Sequence, residues 1–65
     1  MKEQMIAYLQ EQFTRYLEDA KRYGDEERMV VKEFNALIAN KEMAEALIGE
    51  PVNLRKSGQV TLGVE

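Results

Sequence analysis

Along the first third of the chain, apolar residues recur in steps of three and four: Ile6, Leu9, Phe13, Tyr16, Ala20 and Tyr23. That rhythm is the seam of an amphipathic helix, and it predicts one helix over residues 1–23. Met5 and Leu17 broaden the stripe beyond what a two-stranded coiled coil needs, toward the width of a bundle helix. On the opposite side, Glu11 precedes Arg15 and Glu18 precedes Arg22 by four positions, pairs that each contribute roughly 0.3 kcal/mol on a wet face. Tyr8 falls off the seam and reads as a lone surface aromatic, with membership of a second contact surface as the alternative.

Gly24 followed by Asp25, Glu26 and Glu27 joins a stop to a start: glycine closes one helix with a positive φ, and Asp25 is placed to cap the next. Lys21 and Arg22 complement the carbonyl end of the first helix, and the three acids complement the amide end of the second. The second helix is expected over residues 25–48, with Val30, Phe34 and Leu37 stepping along its core face and Val31 and Ile38 widening it. Lys41 interrupts that series, and Met43, Ala44, Leu47 and Ile48 resume it with the stripe rotated. Either the helix breaks and Asn40 caps a short third piece, or it continues with the Lys41 methylenes lying along the apolar edge. Asparagine is a good cap and a poor helix-interior residue, which favours the break. Gly49, Glu50 and Pro51 then end the helical part.

After Pro51 the period changes to two. Val52 and Leu54 alternate with Asn53 and Arg55, and Val60, Leu62 and Val64 repeat the pattern, so residues 52–64 read as a β-hairpin. A two-residue turn at Ser57 and Gly58 would mismatch the apolar sets. A three-residue loop of Lys56, Ser57 and Gly58 sets Leu54 opposite Val60 and Val52 opposite Leu62, with Gly58 in the left-handed position. One ribbon face is then apolar and needs the helices, or another chain, to cover it. The open edges of the ribbon offer a second way to pair.

The fold class that follows is mostly α, an antiparallel helical hairpin with a C-terminal β-hairpin in a single domain. At 65 residues such a chain buries only about 60% of the surface its unfolded form exposes. Small chains compensate with disulfides, metals or self-association. There are no cysteines and no histidines, which removes disulfides, thiolate metal sites and the commonest general base, and leaves association. Two hairpins pairing into a four-helix-bundle homodimer would cover both stripes. The expected interface, with itself or with a partner, comprises Ile6, Leu9, Phe13, Tyr16, Val30, Phe34, Leu37 and Ile48.

The formal net charge of −3 argues against nucleic acid or an anionic membrane as the main partner. The last fifteen residues nevertheless carry Arg55 and Lys56 against Glu65. Arg55, Lys56, Ser57 and Gly58 therefore form the one cluster suited to an anion, although a solvated hairpin tip explains it as well. It lacks the order of a P-loop. Ser57, Thr14 and Thr61 have no activating partners at a recognised spacing, so no catalytic residue, cofactor or metal is expected. Glu42 with Glu45 reads as a solvated acidic face, and Met29 with Met43 as gap-filling core. No apolar run reaches the roughly 20 residues of a membrane span, and the order of a signal peptide is missing, which suits the cytoplasm.

The leading functional expectation is a small non-enzymatic interaction protein, an adaptor, regulator or inhibitor, that acts as a homo-oligomer and binds another protein. An oligomer that sequesters an anionic ligand such as a nucleotide at the Arg55, Lys56 and Ser57 loop is the alternative. A structural subunit of a larger assembly is the third.

Overall fold

The computed structural model describes residues 1–64, and the chain forms α1 (Lys2–Tyr23), α2 (Arg28–Ile48), β1 (Val52–Leu54) and β2 (Val60–Leu62) in that order. The first helix ends where the sequence predicts: Gly24 takes φ 96° and its N–H donates to the Ala20 carbonyl at 2.9 Å. The second begins later than expected. Asp25 does not cap it; residues 24–27 form the connection, Glu27 is the N-cap without a side-chain cap bond, and its N–H donates back to the Gly24 carbonyl. The three acids still lie just ahead of the helix amides, where their charge is favourable.

The expected break at Asn40 does not occur, and α2 runs unbroken to Ile48. Two side chains account for that. Asn40 turns its Nδ2 across to α1 and donates to Gln12 Oε1 at 3.1 Å, so the residue read as a cap is a cross-helix bond. Lys41 keeps its head part-exposed, donating to Glu45 Oε2 at 3.1 Å one turn on, while its stem follows the apolar edge. Gly49, in the left-handed region at φ 81°, then closes the helix with its N–H on the Glu45 carbonyl.

The ribbon has the predicted register, Val52 opposite Leu62 and Leu54 opposite Val60, around the three-residue loop with Gly58 at φ 96°. Its paired part stops at Leu62; Val64 lies beyond it and is exposed. The apolar face of the ribbon lies on the helix pair, β2 against α1 and β1 against α2. Leu9, Phe13, Leu37, Ala44, Val52 and Val60 close one core, with Met5, Ile6, Tyr16, Ile48, Leu54 and Leu62 packed around it. Part of the stripe expected to need a second hairpin is thus covered by the chain's own tail. Val30 is also buried, outside that cluster.

Candidate interaction surface

The ribbon is locked down by one side chain from each helix. Gln10 on α1 presents a whole carboxamide to the edge of β2: its Nε2 donates to the Gly58 carbonyl at 2.6 Å, and its Oε1 accepts from the Val60 N–H at 2.9 Å. Glu45 on α2 accepts from the Val52 N–H at 2.8 Å. These backbone groups point outward because narrow pairs fall at Arg55 with Gln59 and at Pro51 with Gly63, leaving residues 52, 54, 60 and 62 at the wide pairs. Gln10 and Glu45 therefore occupy the edge donors that a further strand would use at Val60 and Val52. At these two residues the clamps take the N–H donors alone; Leu54 and Leu62 keep outward groups, so the edges of the ribbon are narrowed to a new strand at Val60 and Val52.

Glu45 carries the electrostatic signature of this role. The Val52 N–H first, and the Lys41 ammonium second, hold its carboxyl below the usual carboxylate range. Glu33 is its opposite. Its Oε1 is shielded from water, and this desolvation, then a hydrogen bond with the neighbouring Asp19 carboxyl and its charge, push Glu33 above the usual range against the opposing pull of Arg15.

Of the loop residues expected to hold an anion, Lys56 and Ser57 are exposed at the tip. The other two are engaged within the fold: Arg55 Nε donates to Thr61 Oγ1 at 3.0 Å, and the Gly58 N–H donates to the Arg55 carbonyl at 2.9 Å. Among the described residues no group of three or more acidic side chains is placed to hold a metal. No helix is long and apolar enough to cross a membrane.

Of the eight residues expected at an interface, Leu9, Phe13, Val30 and Leu37 are inside the protomer and closed to any partner while the ribbon stays in place. Ile6, Tyr16 and Ile48 are half-buried. Phe34 alone is exposed, at 42%, with its ring centroid 5.4 Å from that of Tyr16. The ribbon ends short of this pair. A methyl group at Gly58 would meet Leu17 Cδ1 at 3.4 Å, so the tip stops over Leu17. Leu17 lies seven residues from the clamp residue Gln10, and Phe34 seven from Lys41, so both project from the ribbon side of the helix pair. Beyond the tip, Leu17, Val31 and Phe34 remain exposed beside Tyr16, an apolar shelf next to the ribbon tip.

A second opening lies between the helices near their free ends, a groove of about 280 Å³ lined by Met5, Tyr8, Leu9, Met43 and Ala44, with Asn40 and Gln4 at its rim. Met43 is 62% exposed and Met29 is exposed as well, so the expectation that both fill gaps in the core is overturned. The sequence reading also missed Gln10 and Glu45. The signal available for Gln10 was an uncharged amide seven residues before Leu17 on the broadened side of the α1 stripe.

Comparison with protein families, with curated proteins and with solved structures gives no match to this chain.

Proposed function

We propose that the protein is a small non-enzymatic interaction protein, an adaptor, regulator or inhibitor, that self-associates and binds another protein through the shelf of Tyr16, Leu17, Val31 and Phe34. The observation carrying this reading is the half-exposed Phe34 held against Tyr16 at the point where the ribbon stops covering the helices. A pre-positioned aromatic with aliphatic neighbours is the composition of a binding hot spot, because little side-chain freedom is lost on docking. The exposed Lys56 on the ribbon tip favours a partner that surrounds an apolar anchor with acidic groups. Residues 1–50 carry more acid than base, which sets the exposed Lys56 of the ribbon tip apart from most of the surface.

The test is affinity capture from the native cell with the wild type, Phe34→Lys and Lys56→Glu side by side. The expected result is a defined partner whose recovery falls at least about tenfold with Phe34→Lys, the scale of a hot-spot loss. Lys56→Glu weakens it less and makes it less sensitive to salt. Circular dichroism of both variants should match the wild type. Equal recovery by the wild type and Phe34→Lys, or no partner at all, overturns the reading.

A further inference from the structure

Helix α2 carries two heptad seams, one turned into the core and one turned out of it that borders α1 at Ala36 and Met43. The inner one, Val30, Phe34, Leu37, Lys41, Ala44 and Ile48, steps by four and three and faces α1 and the ribbon. The outer one, Met29, Lys32, Ala36, Ala39, Met43 and Ala46, steps by three and four over the same length, and every member of it is exposed. A helix with a single buried side has charge opposite its core. Here the outward face between Lys32 and Ala46 carries one charged side chain, Glu42, with Leu47 69% exposed at its border.

We propose that this outer seam of α2 is a self-association surface on which a second copy of the chain lays its own α2 antiparallel. This rests on the self-associating part of the reading above and gives it a location. The occupant follows from the charges. On the seam face the amino-terminal half carries Arg28 and Lys32, with Glu27 and Glu33 at its margin, and the other half carries Glu42. A parallel copy would set like charge against like; an antiparallel copy related by a two-fold axis near residue 37 sets Lys32 against the partner's Glu42, twice. Ala36 and Ala39 then lie at the centre, where small side chains let the backbones approach to the short end of helix spacings, about 8 Å. Met29 and Met43 flank them and fill what the alanines leave. Neither helix needs to change shape, and the Phe34 shelf, on the ribbon side, stays free in both copies.

The register can be tested by disulfide trapping, because the chain contains no cysteine. In this arrangement Ala36 lies about 3 Å along the axis from its mate, whereas Ala46 lies about 27 Å from its own, at 1.5 Å per residue. Under mild oxidation at micromolar concentration, Ala36→Cys should cross-link into a covalent dimer and Ala46→Cys should not, since thiols that far apart cannot be bridged. The uncross-linked chain should sediment at twice its own mass. Lys32→Glu should weaken the dimer about tenfold, and Lys32→Glu combined with Glu42→Lys should restore it. All these positions are exposed, and circular dichroism checks that each variant folds. A monomer at every concentration, cross-linking at Ala46, or a dimer indifferent to Lys32→Glu would overturn the proposal. Phe34→Lys, which touches only the shelf, should leave the dimer intact, so loss of partner capture and loss of self-association are read in different variants.

Discussion

The two helices are nearly the same length and share one core, yet they are built on different plans. Helix α1 has one apolar side, where Leu9 and Phe13 are buried, and its far side is charged, with Glu3, Glu11, Glu18 and Lys21 in water. Helix α2 buries Val30, Leu37 and Ala44 on one side and turns Met29, Ala36, Ala39 and Met43 outward on the other. A helix placed only to complete the core would resemble α1. The contrast teaches that burial in the protomer accounts for most of α1's apolar pattern, Tyr8, Leu17 and Tyr23 excepted, and for only about half of α2's.

The sharpest way to break that comparison is to truncate each side of α2. Leu37 is fully buried, so Leu37→Ala should cost about 2–5 kcal/mol by loss of transfer free energy and creation of a cavity. Met43→Ala on the outer side should change protomer stability by less than about 0.5 kcal/mol. Urea unfolding at concentrations low enough to dissociate any oligomer checks both. Equal losses would mean that the outer side is as structural as the inner.

The next effect concerns how the ribbon joins the two helices. Gln10→Ala removes both bonds to β2 and leaves the Val60 N–H without an acceptor, a loss of about 1–3 kcal/mol. Hydrogen exchange should show the Val60 amide losing protection while the centre of α1 keeps it. Gly58→Ala is smaller, about 1 kcal/mol. Its φ of 96° strains any residue with a Cβ, and the 3.4 Å approach falls on the mobile end of Leu17.

Glu45 and Glu33 sharpen the comparison through pH. Glu45 titrates below its ordinary value in the folded state, so the stability it contributes is present above the usual carboxylate range and is lost as the pH falls through it. Glu45→Gln should flatten that acid limb of the stability curve. Glu33 holds its proton more tightly when folded, so its contribution runs the other way, and folding weakens as the pH rises from its ordinary value to the raised one. Glu33→Gln should leave the protein as stable or more stable at neutral pH. Melting curves across pH for the two variants check the opposite signs, and shifts of the same sign would refute the assignment.

Much of this was legible in the sequence because it rests on period and turn chemistry. The seam of α1, the stops at Gly24 and Gly49 and the ribbon register around Gly58 each follow from local rules. What could not be read depends on which groups meet across the fold. Asn40 looks like a cap until Gln12 is placed opposite it, and then a helix breaker becomes a cross-helix bond. Phe34 belongs to the core series by spacing, but the ribbon ends at Leu17 and leaves it half in water. Leu9, Phe13 and Leu37, buried members of the expected interface, show the same cause: spacing reports that a face wants covering and does not say that the chain's own ribbon covers it. The outer seam was visible as spacing too, but Met29 and Met43 were assigned to the core because methionine usually goes there.

The central claim is that the second apolar side of α2 exists to meet another copy of the chain. Sedimentation equilibrium of the wild type and Ala39→Glu over a micromolar concentration series tests it most directly. The account predicts a wild type that approaches twice the chain mass and an Ala39→Glu variant that stays at one, with both melting alike once dissociated. A wild type that remains single throughout, or an Ala39→Glu variant that associates as the wild type does, would contradict it.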